Sequence, residues 1–271
     1  MSAAGDGWAP GSLADIAAEI EAALVGKSVA VMVYGSRARG TAGPASDIDV
    51  LQVVVDAPRS YTSGRVEVSA FTVAQLSEMS RDGGLFILHL RHDGLILRDE
   101  DGVLAGVLAE YRQPASYADY RAELAAAAQV LAVDAAEFAE HGQHLTRLAL
   151  FLARTCASIR TVEAGELVTD AALFGARLGD PELGAALAAR HKAEFVPDDL
   201  AALLRVLRRY LDVPQRPVGA SFADMLAGLA GRPGASSVVA AYLPLMSTVV
   251  VPCLPGWAGR IVMPVPPSRG C

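Results

Sequence analysis

Residues 31–55 read VMVYGSRARGTAGPASDIDVLQVVV, and this stretch places two carboxylates at the start of an otherwise apolar segment. An apolar run stops at Gly35 and Ser36, a loop of ten residues follows, and Asp47 and Asp49 open the next apolar run. Side chains alternate along a strand, so both aspartates would share one face, with Cα atoms roughly 6.5 to 7 Å apart. Two carboxylates that close need a cation between them, so the pattern predicts a metal site.

The Gly-Ser pair indicates that the cation would bind together with a phosphate group. Gly35 permits a tight turn and close backbone approach, and Ser36 with the amides at a helix start can cradle a phosphate. Arg37 and Arg39 could stabilise charge on a triphosphate, or they could be loop charges paired with surface acids. The predicted nucleotide-binding residues are therefore Gly35, Ser36, Arg37, Arg39 and Ser46. The structural alternative for the whole motif is a turn and a strand edge with solvated acids.

Gly-Ser, ten residues and Asp-x-Asp resemble the nucleotidyltransferase signature of the polymerase-β-like superfamily, over roughly residues 28–100. The superfamily pattern asks for a third carboxylate on an adjacent strand, and Glu67 in Val66-Glu67-Val68-Ser69 is the acidic residue available there. The segment is similar to a Val-Glu-Val-Thr string in the bacterial aminoglycoside adenylyltransferases, where the Glu acts as catalytic base. Minimal nucleotidyltransferases are also similar.

This resemblance implies a fold class and a reaction. The fold would be an α/β (α+β) nucleotidyltransferase domain with a small mixed sheet, followed by an all-α helical domain. Asp47, Asp49 and Glu67 would be the catalytic and metal-binding residues, with two Mg²⁺ ions and a nucleoside triphosphate, ATP favoured. Glu67 would either ligate the second ion or act as general base. The enzyme would be of the EC 2.7.7 type, transferring AMP to an acceptor hydroxyl with release of pyrophosphate.

The acceptor is less constrained than the donor. A helical domain after a minimal catalytic domain looks most like the enzymes that modify small molecules such as aminoglycosides, and Glu137, Glu140 and Glu163 are candidates for an acidic cleft. A protein or an RNA acceptor stays open, although the net charge of −7 weakens RNA. The alternative function is a nucleotidyltransferase of a toxin–antitoxin or defence system that modifies or binds a protein or RNA partner. A homodimer is also possible.

Composition bounds the class and the location. With 52% hydrophobic and 20% charged residues, the chain has the make-up of a folded globular protein. Its three cysteines, Cys156, Cys253 and Cys271, lack metal-ligand spacing, and the N-terminus lacks the regions of a signal peptide. We therefore predict a cytoplasmic protein without a membrane partner. The apolar segment 237–251 contains a proline and is interpreted as buried core or as a subunit contact.

Hydrophobic periodicity divides the chain into a catalytic domain at 1–112, a helical domain at 116–251 and an extended tail at 252–271. Strands are predicted at SVAVMV, DIDVLQVVV and RVEVSAF, with a further small strand before Asp101. Thr72 is expected to cap a helix over VAQLSEMSR, and one helical face is expected to bury Leu145, Leu148, Ala149, Leu152, Cys156 and Ile159. Other predicted helix starts are Asp101, Thr169, Asp180, Asp198 and Ser221.

Overall fold

The computed structural model describes residues 13–43 and 46–243, and the chain divides into two compact units between Gln113 and Pro114. The first unit combines a sheet with helices, and the second is helical. The predicted tail at 252–271 and the later part of the apolar segment 237–251 lie outside the described residues.

The sheet of the first unit has five strands in the described residues. They are β1 (Ala30–Tyr34), β2 (Ile48–Val54), β3 (Tyr61–Ser63), β4 (Val66–Thr72) and β5 (Leu95–Asp99). Their order is β3-β4-β2-β1-β5. β2 and β4 are parallel, whereas β1 pairs antiparallel with β2 and β5, and β3 pairs antiparallel with β4. The sheet is therefore small and mixed, as predicted.

Helices cover both faces of this sheet. They are α1 (Leu13–Ala23), the single turn α2 (Gly35–Ala38), α3 (Val73–Arg81), α4 (Leu85–Asp93) and α5 (Val103–Ala109). On one face, Ile16 and Ile20 of α1 pack with Val33 and Val50. On the other face, a second core joins β1 and β2 to α3, α4 and α5. Alternation along the strands thus supplies two apolar layers, which explains why β1 is buried along its whole length.

Of two helix starts predicted in this unit, one is confirmed and the other is wrong. Thr72 caps α3, since its hydroxyl accepts from the Gln75 amide in a complete capping box. The prediction that Asp101 starts the next helix is wrong. The Asp99 carboxylate instead accepts hydrogen bonds from the amides of Leu104 and Ala105, at 2.8 and 2.9 Å. Asp101 has a φ of 56° and lies in the turn before α5.

The C-terminal half of β2 is fixed by a buried polar network. Gln52 is only 1% exposed, and its amide nitrogen donates to the Val25 carbonyl and the Ser28 hydroxyl, both at 2.9 Å. Its amide oxygen accepts from the Tyr61 hydroxyl at 3.1 Å. Because these bonds join β2 to the segment before β1 and to β3, they hold the strand in its register.

The second unit is built on one long helix. Its helices are α6 (Ala118–Ala128), α7 (Ala135–Glu163), α8 (Phe174–Arg177), α9 (Pro181–Ala188), α10 (Pro197–Tyr210), α11 (Phe222–Ala227) and α12 (Pro233–Tyr242). The stripe predicted along α7 is confirmed, since all six of its residues are buried. Burial raises the pKa of the Cys156 thiol, which makes it a poor nucleophile. None of the helices between residues 13 and 243 is both long and apolar enough to cross a bilayer.

Candidate active site

The register of the sheet places Asp49 and Glu67 side by side. Asp49 is the second residue of β2 and pairs with Glu67, the second residue of the parallel strand β4. On its other side Asp49 pairs with Tyr34, the last residue of β1. Paired residues on neighbouring strands point to the same face, and the strands are about 4.8 Å apart. One rung of the sheet therefore carries an aromatic ring and two carboxylates.

Asp47 precedes β2 and continues the same alternation. Ile48 and Val50 are fully buried in the core against α1, whereas Asp47 and Asp49 are half-buried. The Ile48 amide donates to the Arg65 carbonyl at 2.8 Å, so the pairing with β4 already begins at this residue. The extended backbone thus directs both aspartates away from the apolar layer that Ile48 and Val50 occupy.

Gly35 makes room for Asp49. Its φ is 76°, a left-handed conformation that favours glycine. A β-carbon on Gly35 would lie 2.2 Å from Asp49 Oδ2 and 3.1 Å from Asp49 Cγ. Any side chain here would displace the carboxylate, so the Gly-Ser turn and the Asp-x-Asp strand are sterically coupled across β1 and β2.

The turn after Gly35 brings Ser36 to the same end of the sheet. Ser36 is the second residue of α2, and its carbonyl accepts a hydrogen bond from the Thr41 amide at 3.0 Å. The Arg39 amide donates to the Gly35 carbonyl at 3.1 Å. These bonds close a compact loop directly after β1 and keep Ser36 next to the rung that contains Asp49.

Arg37 and Ser46 stabilise the loop between the two halves of the motif. Arg37 Nη2 donates to the Ser46 carbonyl at 2.7 Å and to the Gly43 carbonyl at 3.4 Å. The Ser46 hydroxyl accepts from the Gly43 amide at 2.9 Å. Arg37 therefore anchors the residue that immediately precedes Asp47. The nucleotide contacts predicted for Arg37 and Ser46 stay predictions.

Arg39 forms an ion pair with a residue far away in the sequence. Its Nη1 lies 2.7 Å from Oδ2 of Asp93, the last residue of α4. The Asp93 side chain is 3% exposed and that of Arg39 is 20% exposed. His92 Nδ1 lies 2.5 Å from Asp93 Oδ1, and His89 Nε2 lies 3.9 Å from Oδ2. Arg39 thus connects the Gly-Ser loop to α4, and the phosphate contact predicted for it stays a prediction.

The carboxylates match the chemistry of a hard cation. Across residues 13–43 and 46–243, no three His, Cys, Asp or Glu side chains form a ready-made metal cluster. Mg²⁺ rarely needs one, because it is usually held by one or two carboxylates, by water and by the phosphates of its substrate. The two neighbouring carboxylates, Asp49 seated against the backbone of Gly35 and Glu67 beside it on β4, fit that mode of binding.

Comparison with known proteins agrees with this geometry. Residues 15–82 match the family model described as a nucleotidyltransferase domain. The predicted fold class is confirmed: a nucleotidyltransferase domain with a small mixed five-stranded sheet, followed by a helical region. The matched range contains all eight predicted site residues, and it supports nucleotidyl transfer in general. The predicted roles of these residues, the Mg²⁺ ions and the partners stay predictions.

Among the solved structures that match, one is similar over most of the length of both chains. It is described as a nucleotidyltransferase-like protein from Exiguobacterium sibiricum 255-15, and the similarity covers 86% of this chain and 89% of that chain. The two share 14% sequence identity, with a TM-score of 0.34. No curated protein matches the chain.

Two residues of the site were not found from the sequence. Tyr34 directly precedes the Gly-Ser pair, and the alternation of β1 could have placed it on the same face as Asp49. Its hydroxyl lies 3.1 Å from the Ser69 hydroxyl, and its ring packs edge-on against Phe86. Asp93 carries no local signal, because its pairing with Arg39 spans 54 residues and depends on the packing of α4.

Proposed function

We propose that this protein is a Mg²⁺-dependent nucleotidyltransferase that transfers a nucleoside monophosphate, AMP from ATP, to an acceptor hydroxyl and releases pyrophosphate. The observation that carries the proposal is the rung in which Asp49 of β2 and Glu67 of β4 are direct neighbours. A buried sheet seldom places two carboxylates side by side unless a cation offsets their repulsion. The family match over residues 15–82 supports the same reaction class.

The residues divide the chemistry between them. Asp47 and Asp49 would hold Mg²⁺, while Ser36 and the amides of its turn bind the outer phosphates. When bound, the ion neutralises phosphate charge and polarises the phosphorus. The acceptor oxygen forms a bond to the α-phosphorus as the bond to the bridging oxygen of pyrophosphate breaks. Glu67 either takes the hydroxyl proton or ligates a second ion.

The acceptor is proposed to be a small molecule such as an aminoglycoside, because a helical unit follows a small catalytic unit, an order typical of enzymes that modify small molecules. Of the three glutamates predicted to line an acidic cleft, two form ion pairs with arginines and one is exposed. Glu137 is paired with Arg216 and Glu163 with Arg121, so their charges are already offset within the second unit. Glu140 stays exposed beside His141.

The proposal is tested by incubating the purified protein with each α-³²P-labelled nucleoside triphosphate and Mg²⁺. Candidate acceptors are an aminoglycoside panel, bulk tRNA and a cell lysate, and Asp49→Ala serves as the inactive variant. We expect label from ATP on a small molecule, in the wild type only. Label on RNA or protein would support the proposed transferase activity but contradict the proposed small-molecule acceptor. No transfer with any nucleotide or acceptor would reject the transferase and favour partner binding.

A further inference from the structure

We infer that Asp93 is a positioning residue, which acts through Arg39 to hold the Gly-Ser turn in the geometry that receives the nucleotide phosphates. The inference rests on the proposed function for its nucleotide readout, but its structural part can be tested without nucleotide. It assigns a role to an acidic residue outside the sequence motif and outside the matched range 15–82.

Asp93 is a fixed point in the first unit. It ends α4, and the next residue, Gly94, packs so tightly that a β-carbon there would lie 2.4 Å from both the Leu90 carbonyl oxygen and Met32 Sδ. Met32 is a buried residue of β1. The end of α4 that carries Asp93 is therefore packed against the same strand that leads into the Gly-Ser turn.

The turn is held at its two ends by different contacts. At its start, Gly35 packs against the carboxylate of Asp49. At its end, Arg39, the C-cap residue of α2, is bound to Asp93. A single helical turn of four residues has little stability of its own, because nucleating a turn costs more than its few hydrogen bonds return. The ion pair with the nearly buried Asp93 compensates for this and keeps Ser36 in place.

This role differs from a direct phosphate contact by Arg39. Of its guanidinium nitrogens, Nη1 makes the contact with Asp93, and the Arg39 side chain is only 20% exposed. If Arg39 contacted a phosphate directly, removal of Asp93 would free the Arg39 guanidinium for that contact. Nucleotide binding would then persist or strengthen. A positioning pair requires both partners, so loss of either one would weaken binding equally.

The test combines hydrogen exchange with nucleotide binding in the full chain. Asp93→Ala, Arg39→Ala, the double variant and Arg39→Lys are compared with Glu21→Ala, which removes the exposed Arg98–Glu21 pair of the same unit. Amide exchange is followed by mass spectrometry in peptides that cover residues 35–43, without nucleotide. Binding is measured calorimetrically with α,β-methylene-ATP and Mg²⁺.

We expect both alanine variants to speed exchange in residues 35–43 at least about fivefold and to weaken binding about tenfold, with no further loss in the double variant. Arg39→Lys should keep most of the affinity, because one donor suffices for the observed contact. Exchange unchanged by Asp93→Ala, or binding lost in Arg39→Ala but kept in Asp93→Ala, would overturn the inference. If the wild type binds no nucleotide, the proposed function fails, and the exchange result alone decides the role of Asp93.

Discussion

The carboxylate of Asp49 packs directly against the backbone of Gly35, where a β-carbon would lie 2.2 Å from Asp49 Oδ2. Through this contact the turn after β1 and the start of β2 define each other's position. The glycine of the motif is thus required for two reasons, its left-handed φ of 76° and the space that Asp49 occupies. On the other side of β2, the pairing with β4 brings Asp49 beside Glu67.

Gly35→Ala should therefore remove activity. The added methyl group must displace the Asp49 carboxylate, and a misplacement of about 1 Å at a reacting centre can lower a rate about 100-fold. Steady-state kinetics and urea unfolding should be measured together. The matched control is Gly26→Ala, because Gly26 has a φ of 75° but no described atom within 4 Å of its added β-carbon. Equal activity losses in the two variants would contradict the steric explanation.

Glu67→Gln keeps the shape of the side chain and removes its charge. We expect kcat to fall by about 100-fold or more, whether Glu67 takes the proton or binds an ion. A Mg²⁺ titration separates the two roles. A ligand would shift half-maximal activity to higher Mg²⁺ concentration, whereas a general base would leave it unchanged. Thr62→Ala, at the exposed residue that pairs with Glu67 on β3, is the control, and an unaltered kcat in Glu67→Gln would exclude both roles.

The buried network around Gln52 should contribute to stability. Gln52→Leu leaves the Val25 carbonyl and the Ser28 and Tyr61 hydroxyls without this partner, and we expect the free energy of unfolding to fall by about 2–3 kcal/mol. Tyr61→Phe removes only the phenol hydroxyl and should cost about 1 kcal/mol. Urea unfolding at neutral pH measures both. A stability equal to the wild type in Gln52→Leu would show that the network contributes nothing.

Glu137 should make the stability of the second unit depend on pH. Two hydrogen bonds from Arg216, at 2.5 and 2.6 Å, lower the pKa of the Glu137 carboxyl from its ordinary 4.5 to about 2. Because the folded pKa is the lower one, this stabilisation is complete above about pH 5 and is lost as the pH falls towards 2. Glu137→Gln should be destabilised near pH 7, with the difference from wild type shrinking below pH 5. A difference that does not depend on pH would contradict the assignment.

The sequence allowed much of the first unit to be predicted. Apolar runs located β1, β2 and β4, and the Gly-Ser and Asp-x-Asp spacing indicated which strand ends would meet. The sequence does not predict the short strand β3 (Tyr61–Ser63), because one half-buried residue followed by two exposed ones makes no hydrophobic pattern. The sequence predicts that α5 starts at Asp101, but the side chain that accepts from its first amides is Asp99, five residues before Leu104, a spacing that local capping patterns do not include.

The helix starts of the second unit show the same limit. Asp180 and Ser221 cap α9 and α11, as predicted, since each accepts a hydrogen bond from an amide three residues later. The sequence pattern predicts a helix start at Asp198, but α10 begins at Pro197, because proline is favourable at the first position of a helix. The pattern also predicts a helix start at Thr169, but the next helix, α8, begins at Phe174. Capping residues occur close together here, and tertiary packing selects among them.

The most direct test of the central claim compares the fate of two labels. The wild type and Asp49→Asn are incubated with Mg²⁺, an acceptor and ATP labelled at either the α- or the γ-phosphate. Nucleotidyl transfer predicts that only the α-label reaches the acceptor, that the γ-label leaves in pyrophosphate, and that Asp49→Asn abolishes both events. Transfer of the γ-label to the acceptor, or transfer of the α-label that Asp49→Asn does not reduce, would contradict the account.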